Sequence, residues 1–130
     1  MSRDIRILVV DESLNECRIT IALLNELGYA SVQEADDGNT ALSMLRAGTV
    51  DVLIADWNVP GIAGIDLLRA TRTEEKLAKI PVLLLTAEAT REQIMEAAQA
   101  GVNGYAIKPL TARVLKDKLD KILHSQATTR

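Results

Sequence analysis

Carboxylates, a hydroxyl and an ammonium group directly follow the most apolar segments of this sequence. Asp11 and Glu12 come after IRILVV, and Asp56 comes after VLIA. Thr86 follows PVLLL, and Lys108 follows GYAI. If these segments are neighbouring parallel strands, the polar groups that follow them meet at one edge of a sheet.

Three carboxylates at one edge need a cation, because like charges at short range repel strongly. Oxygen ligands without His or Cys favour a hard ion, and Mg²⁺ fits best. A carboxylate can accept a phosphoryl group as an acyl phosphate, so Asp56 is the candidate acceptor. Lys108 and Thr86 would then bind phosphoryl oxygens. The turn DESLNE lacks Gly, which argues against direct binding of a flavin phosphate or a nucleotide.

Apolar runs and segments with helical spacing alternate along the whole chain. Runs typical of central strands lie at 5–10, 52–55 and 81–85, and mixed runs typical of edge strands lie at 31–35 and 104–107. The predicted helices cover 14–27, 39–47, 64–72, 91–100 and 112–124. This alternation predicts an α/β fold, a doubly wound (βα)5 flavodoxin-like domain with five parallel strands in order 2-1-3-4-5. We expect one domain over residues 1–130.

Composition argues against several classes of partner. The 130 residues carry a net charge of −3 and hold one Trp and two Tyr, which disfavours nucleic acid. No apolar stretch approaches the roughly 20 residues that span a bilayer, and no secretory signal is present, so we expect a cytoplasmic protein without membrane contact. Cys17 lies on the apolar stripe of the first helix and is predicted to be a reduced core thiol.

The motifs VVDE, IADWNVPGIAGIDLL, LLLTAEA and NGYAIKP, in this order, resemble those of response-regulator receiver domains. The resemblance covers nearly the whole chain and is strongest to the single-domain chemotaxis regulators of that family. It implies that Asp56 is the phosphorylated residue and that Mg²⁺ is the cofactor. It also implies a set of metal ligands made of Asp11, Glu12, Asp56 and the backbone carbonyl of Asn58.

The resemblance further implies a conformational switch. Thr86 and Lys108 contact the phosphoryl group, and the ring of Tyr105 turns inward in response. The Lys108–Pro109 peptide bond matches one that is often cis in the family. Asn58 and Glu88 tune the attack of water on the acyl phosphate. The implied output surface comprises Ala89, Tyr105, Ile107, Leu110, Thr111, Lys116 and Lys118.

The function implied is that of a signalling protein rather than an enzyme. A histidine kinase would supply the phosphoryl group, a phosphatase could remove it, and the phosphorylated monomer would bind the flagellar motor switch protein. The polar end HSQATTR predicts that no output domain is attached. An alternative is a paralogue that acts on another target or as a phosphate sink. An enzyme acting on a phosphorylated metabolite is disfavoured, because Asn58 stands where such enzymes carry a second Asp.

Several residues depart from the close chemotaxis relatives. Glu12 stands where they carry Asp, so metal ligation can differ. Ser13 and Glu16 form either a capping box or, alternatively, Glu16 points toward the acidic pocket and alters metal or phosphodonor access. Leu110 replaces a Phe and Lys116 replaces an acid, which could weaken docking on the motor switch. The charged run 72–79 is predicted to be a solvated helix end and loop.

Overall fold

The computed structural model describes residues 4–128, with side chains described for residues 4–123. Five parallel strands form one sheet in the order β2-β1-β3-β4-β5. The strands are β1 (Ile7–Val10), β2 (Val32–Ala35), β3 (Val52–Asp56), β4 (Val82–Thr86) and β5 (Gly104–Ile107). The helices are α1 (Leu14–Glu26), α2 (Gly38–Arg46), α3 (Gly64–Thr73), α4 (Arg91–Gln99) and α5 (Ala112–Thr128). The predicted fold and strand order are therefore confirmed.

Burial explains why the three most apolar runs became central strands. Every residue of β1 and β4 is buried, as is all of β3 before Asp56. A parallel strand covered by helices on both faces needs apolar side chains in both directions. The edge strand β2 instead exposes Glu34 and half-buries Val32 and Gln33. This difference between centre and edge is the one that the sequence predicted.

The sheet separates two apolar layers. On one face, α1 and α5 pack against β1, β3 and β4 through residues such as Leu24 and Leu119. On the other face, α2, α3 and α4 contribute residues such as Leu45, Leu68 and Ala97. The carboxyl edge of the sheet, where the polar groups lie, is therefore reached by loops from both layers.

The properties of Cys17 agree with the sequence prediction of a core thiol. Cys17 is a free cysteine with 2% of its surface exposed, and its thiol donates to the carbonyl of Val9 at 4.0 Å. Burial raises the pKa of Cys17 to about 11, and the negative charges of Glu34 and Asp11 add to the effect. Within residues 4–128, no helix has the length and hydrophobicity that crossing a bilayer requires.

The prediction of a solvated segment at 72–79 was wrong for Arg72. Its guanidinium is partly buried and donates to the carbonyls of Gly101 and Ile80 at 3.0 and 2.8 Å, and to Asn103 Oδ1 at 2.7 Å. Leu77 is also buried. A guanidinium has five N–H donors, so Arg72 can join the end of α3 to the loops that precede β4 and β5. Charge alone did not reveal these backbone partners.

Candidate functional site

Four neighbouring strands, β1, β3, β4 and β5, place polar residues at the carboxyl edge of the sheet. Asp11 directly follows β1, Asp56 ends β3 and Thr86 ends β4. Lys108 follows β5, and its peptide bond to Pro109 is cis. The parallel register pairs Val10 with Ala55 and Asp56 with Leu85, so these strand ends lie at a similar height. The structure therefore brings Asp11, Asp56 and Lys108 into contact, whereas Thr86 ends the neighbouring strand and bonds to Glu88.

Lys108 is the centre of the site. Its ammonium group donates to Asp11 Oδ2 at 2.7 Å, to Glu16 Oε1 at 2.5 Å and to Asp56 Oδ2 at 3.1 Å. The side chains of Asp11, Asp56 and Lys108 are 1%, 15% and 15% exposed, whereas that of Glu16 is 53% exposed. Three carboxylates thus share one cation, and the four groups together carry a net negative charge.

The carboxylate oxygens of Asp11, Glu16 and Asp56 lie within 4.8 Å of one another. This donor set contains oxygen alone, which suits Mg²⁺ better than zinc or copper. The excess negative charge also favours a divalent cation. The residues present therefore fit the magnesium ion that the sequence predicts. Asp11 and Asp56 are the members of this cluster that were predicted as ligands.

Glu16, and not the predicted ligand Glu12, contributes to the described acidic cluster. Glu12 is exposed and contributes no oxygen to the described cluster. Glu16, one helical turn later, reaches the cluster instead. Residues four apart lie on the same face of a helix, which is the signal that the sequence offered for this placement. The role of Glu12 as a metal ligand stays a prediction.

The capping box predicted for α1 is formed in one direction. Ser13 is the N-cap, and its hydroxyl accepts from the backbone N–H of Glu16 at 3.3 Å. The reciprocal bond is not made, because the N–H of Ser13 donates to Asp11 Oδ1 at 2.9 Å. The carboxylate of Glu16 is therefore available to Lys108. Ser13 thus caps the helix as predicted without completing the box, and Glu16 points toward the acidic pocket as the alternative predicted. Its effect on metal or phosphodonor access stays a prediction.

The charges of the site change the acidity of its members. Burial raises the pKa of Asp56 above its usual value, and the neighbouring charges of Asp11 and Glu16 raise it further. Hydrogen bonding and attraction from Lys108 oppose this rise. Burial would lower the pKa of Lys108, but hydrogen bonds with Asp11, Glu16 and Asp56 outweigh it and raise that pKa. Lys108 is therefore a permanent cation at physiological pH.

Main-chain contacts fix the loop that begins directly after Asp56 and carries Asn58. The N–H of Trp57 donates to the carbonyl of Leu85 at 2.7 Å, and the N–H of Gly64 donates to the carbonyl of Trp57 at 2.9 Å. A Cβ on Gly64 would lie 2.2 Å from the carbonyl oxygen of Asp56. The start of α3 therefore packs directly on the main chain of the candidate phosphoacceptor.

The start of α2 supports the same loop from the other side. The N–H of Gly38 donates to the carbonyl of Pro60 at 2.9 Å. A Cβ on Gly38 would lie 2.2 Å from the carbonyl oxygen of Ile62. The first residues of α2 and α3 thus approach this loop so closely that each of them must be a glycine, which has no Cβ.

Among the described residues, Thr86 and Tyr105, which are predicted to form the switch, make no hydrogen bond to the acidic cluster. The hydroxyl of Thr86 donates to the carbonyl of Glu88 at 2.9 Å and accepts from its N–H at 3.2 Å. Tyr105 is half-buried, and Lys118 Nζ lies 5.3 Å from the centre of its ring. Thr86, Tyr105 and Trp57 line one small cavity together with Gln93, whose Oε1 is buried without a hydrogen-bond partner among the described residues. This arrangement leaves space beside both switch residues.

The remaining predicted residues lie around the site and along the β5 edge. Asn58 and Glu88 are exposed in the loops that follow β3 and β4. Ile107 is 52% exposed, whereas Leu110 is half-buried and packs on the core shared by α1 and α5. Lys116 forms an ion pair with Asp120 at 2.7 Å. The other predicted output residues are Ala89 and Lys118, which are half-buried, and Thr111, which is exposed.

Comparison with known proteins identifies the family. The response regulator receiver domain model matches residues 7–120. The chemotaxis protein CheY of Pseudomonas aeruginosa is 58% identical over 117 residues, which cover 90% of this chain and 94% of that protein. Chemotaxis protein CheY-3 of Vibrio cholerae is 56% identical over 122 residues, or 94% of each chain.

Solved structures agree with these sequence matches. The chemotaxis protein CheY4 of Vibrio cholerae superposes with a TM-score of 0.85 at 29% identity, over 92% of this chain and 98% of that one. The receiver domain of a sensor histidine kinase from Pseudomonas aeruginosa gives a TM-score of 0.84 at 27% identity, over 93% and 98%. That structure has a magnesium ion coordinated in its active site cleft. From its fold, its acidic edge and these relatives, the chain belongs to the receiver domain family of response regulators, and it is homologous to the CheY chemotaxis proteins.

Proposed function

We propose that this receiver domain transmits a chemotaxis signal after phosphorylation of Asp56. The observation that carries the proposal is the placement of Lys108 between Asp11 and Asp56, with carboxylate oxygens clustered around it. Receiver domains of the CheY type are signalling proteins that receive a phosphoryl group from a histidine kinase and act on a downstream protein. The names of the relatives suggest chemotaxis as the pathway.

The phosphoryl transfer uses the residues at the carboxyl edge. A carboxylate oxygen of Asp56 attacks the phosphorus atom of a phosphohistidine, forming an O–P bond as the N–P bond breaks. The released imidazole nitrogen takes up a proton from water. Lys108 binds a phosphoryl oxygen and offsets its charge. Magnesium bound by Asp11, Asp56, the Asn58 carbonyl and either Glu12 or Glu16 would neutralise further negative charge on the transferring group.

Phosphorylation is proposed to shift the protein between two states. In the state described here, the hydroxyl of Thr86 is engaged by Glu88. A phosphoryl oxygen on Asp56 offers Thr86 a charged acceptor, which is a stronger partner than a carbonyl. Movement of Thr86 enlarges the cavity beside Tyr105 and allows its ring to turn inward. The phosphoryl group thus favours one of the two states and changes the surface of α4, β5 and α5.

Hydrolysis ends the signal. Water attacks the acyl phosphate, and Asn58 and Glu88, exposed in the loops after β3 and β4, are proposed to orient that water. The products are inorganic phosphate and the free Asp56 carboxylate. A partner phosphatase would act through the same exposed approach.

The test is phosphorylation of Asp56 by acetyl phosphate. We expect the intact protein to gain the mass of one phosphoryl group in the presence of magnesium, and Trp57 fluorescence to change in parallel because Trp57 adjoins Asp56. Asp56→Asn should lose both responses. Asp117→Asn removes the same charge at an exposed position on α5 and should keep them. Equal incorporation in Asp56→Asn would overturn the assignment of the phosphoacceptor.

A second candidate keeps the phosphorylation but changes the target. At positions 110 and 116 the proposed output surface carries Leu110 and Lys116 in place of the aromatic and acidic residues that the resemblance implies for a motor-switch site. The chain would then act on another protein or drain phosphoryl groups from a kinase. The discriminating measurement is the affinity for an N-terminal peptide of a flagellar switch protein. Tighter binding after phosphorylation supports the first function, and equal weak binding in both states supports the second.

A further inference from the structure

Glu16 is the member of the acidic cluster that is least constrained by the protein. Its side chain is 53% exposed, whereas Asp11 is 1% exposed and Asp56 is 15% exposed. Asp11 is also held by the N–H of Ser13, and Asp56 is the last residue of the central strand β3. Glu16 instead reaches the site from the first turn of α1 on a flexible side chain.

Lys108 has no N–H donor left for a phosphoryl oxygen in this state. An ammonium group has three N–H donors. The carboxylates of Asp11, Glu16 and Asp56 accept one each. One carboxylate must therefore leave before Lys108 can bind a transferring phosphoryl group. Glu16 is the easiest to release, because an exposed ion pair contributes little and its freed carboxylate returns to water.

We propose that Glu16 is an electrostatic gate that slows phosphorylation of Asp56 by free anionic phosphodonors. It occupies Lys108 in the resting state and adds a negative charge where the donor must approach. The inference rests on the proposed function, since it concerns the same site. It assigns Glu16 a role in donor specificity, with the slowing greatest for the most negatively charged donor.

The contact of Glu16 with Lys108 is separable from its role in the helix. The cap of α1 uses the hydroxyl of Ser13 and the backbone N–H of Glu16. The hydroxyl of Thr20 likewise uses the backbone carbonyl of Glu16. Glu16→Gln keeps both backbone contacts and removes only the charge. The variant therefore tests the gate without removing the helix cap.

The experiment measures the rate of phosphorylation of Glu16→Gln at saturating magnesium and low ionic strength. With acetyl phosphate, we expect the rate to rise about two- to fivefold, the range that corresponds to an exposed ion pair. The rise should be smaller with phosphoramidate, which carries less negative charge. It should also shrink at high ionic strength, because salt screens charges at exposed positions.

Glu26→Gln is the matched control, because Glu26 is an exposed glutamate at the other end of α1. Its rate should equal that of the unmodified protein. Glu16→Met serves as a second variant without charge, and thermal unfolding verifies that each variant is folded. A rate in the Glu16 variants that is unchanged or lower than normal would overturn the gate.

Magnesium affinity, followed by Trp57 fluorescence without any phosphodonor, separates the gate from the role of a metal ligand. We expect Glu16→Gln to bind magnesium more weakly, because the cluster loses one negative charge, while its phosphorylation rate at saturating magnesium rises. Weaker binding together with a lower saturated rate would show that Glu16 is a metal ligand and would overturn the gate. Absence of phosphorylation in the unmodified protein as well would instead contradict the proposed function.

Discussion

At the scale of single residues, Lys108 pairs with the buried Asp11 and also contacts Asp56, the proposed phosphoacceptor. Asp11 is 1% exposed, and a carboxylate that is so deeply buried needs a charged partner. Lys108 supplies that partner at 2.7 Å and also contacts Asp56. The same ammonium group therefore offsets the repulsion between the two acids before any donor arrives.

Replacing Lys108 should leave the repulsion between the carboxylates of Asp11 and Asp56 without a compensating positive charge. We expect Lys108→Met to lower the free energy of unfolding by about 1–3 kcal/mol in the presence of EDTA, because the buried Asp11 loses its charged partner. Magnesium should restore more stability to this variant than to the unmodified protein, since a ligand stabilises the state that binds it. Urea unfolding with EDTA and with magnesium measures both effects.

Lys121→Met is the control for this prediction, because Lys121 is exposed on α5. Its free energy of unfolding should change by less than about 0.5 kcal/mol. Equal stability of Lys108→Met and Lys121→Met in EDTA would show that Lys108 does not offset the acidic charges.

Sequence analysis predicted most of the site at this scale but not which neighbouring acid enters it. Asp11, Asp56, Thr86 and Lys108 were predictable because each follows an apolar strand. Glu12 follows the same strand as Asp11, yet the helix turn directs Glu16 to the cluster instead. Whether Glu12 or Glu16 reaches the cluster depends on the directions of their side chains at the start of α1. The spacing of the two residues in the sequence does not determine these directions.

At the scale of elements, main-chain contacts of the loop between β3 and α3 position Asp56, the proposed phosphoacceptor. Gly64 begins α3, and its missing Cβ is what lets the helix contact the carbonyl of Asp56. A side chain there would overlap main-chain atoms rather than a flexible group. The position of Asp56 therefore depends on a residue without any functional group.

We expect Gly64→Ala to destabilise the protein by about 1–3 kcal/mol, because the added methyl group must displace the loop. Phosphorylation should slow at the same time, since Asp56 moves with that loop. Chemical unfolding and the rate of phosphoryl incorporation measure the two effects.

Gly104→Ala is the comparison variant, because a Cβ at Gly104 meets its nearest neighbour at an ordinary 3.5 Å. It should leave both the stability and the rate nearly unchanged. A normal phosphorylation rate in Gly64→Ala would show that the close contact does not position Asp56.

The elements themselves were predictable because each has a strong local pattern. Apolar runs such as 52–55 predicted strands, and Gly28, with a positive φ of 100°, follows the end of α1 as expected of a terminating glycine. The bonds of Arg72 were not predictable, since they join loops that are distant in the sequence. Long-range main-chain partners leave no periodic signal in a single sequence.

At the scale of the whole molecule, burial of a titratable group in an apolar layer makes the free energy of unfolding depend on pH. Cys17 lies in the layer formed with α1 and α5. Burial raises its pKa to about 11, whereas an exposed thiol in the unfolded chain titrates near about 8.5. Because the folded state holds this proton more tightly, the contribution of Cys17 is complete below about pH 8.5 and is lost as the pH rises toward 11.

The measurement compares unfolding of the unmodified protein and Cys17→Ala between pH 8 and pH 11. We expect the difference in their free energies of unfolding to shift by about 2–3 kcal/mol against the unmodified protein across this range. A difference that is independent of pH would show that the thiol titrates alike in both states.

Gly38 and Gly64, which contact the loop after β3, affect how saturation mutagenesis of this protein is interpreted. A saturation screen for phosphorylation is expected to return Asp56 and Lys108, whose side chains carry the proposed chemistry. We expect it to be as intolerant at Gly38 and Gly64, where a Cβ would meet backbone atoms of the loop at 2.2 Å. Substitutions at Gly38 and Gly64 would then fail for steric reasons, and those at Asp56 and Lys108 for chemical reasons. The mutational map alone would not distinguish the two causes.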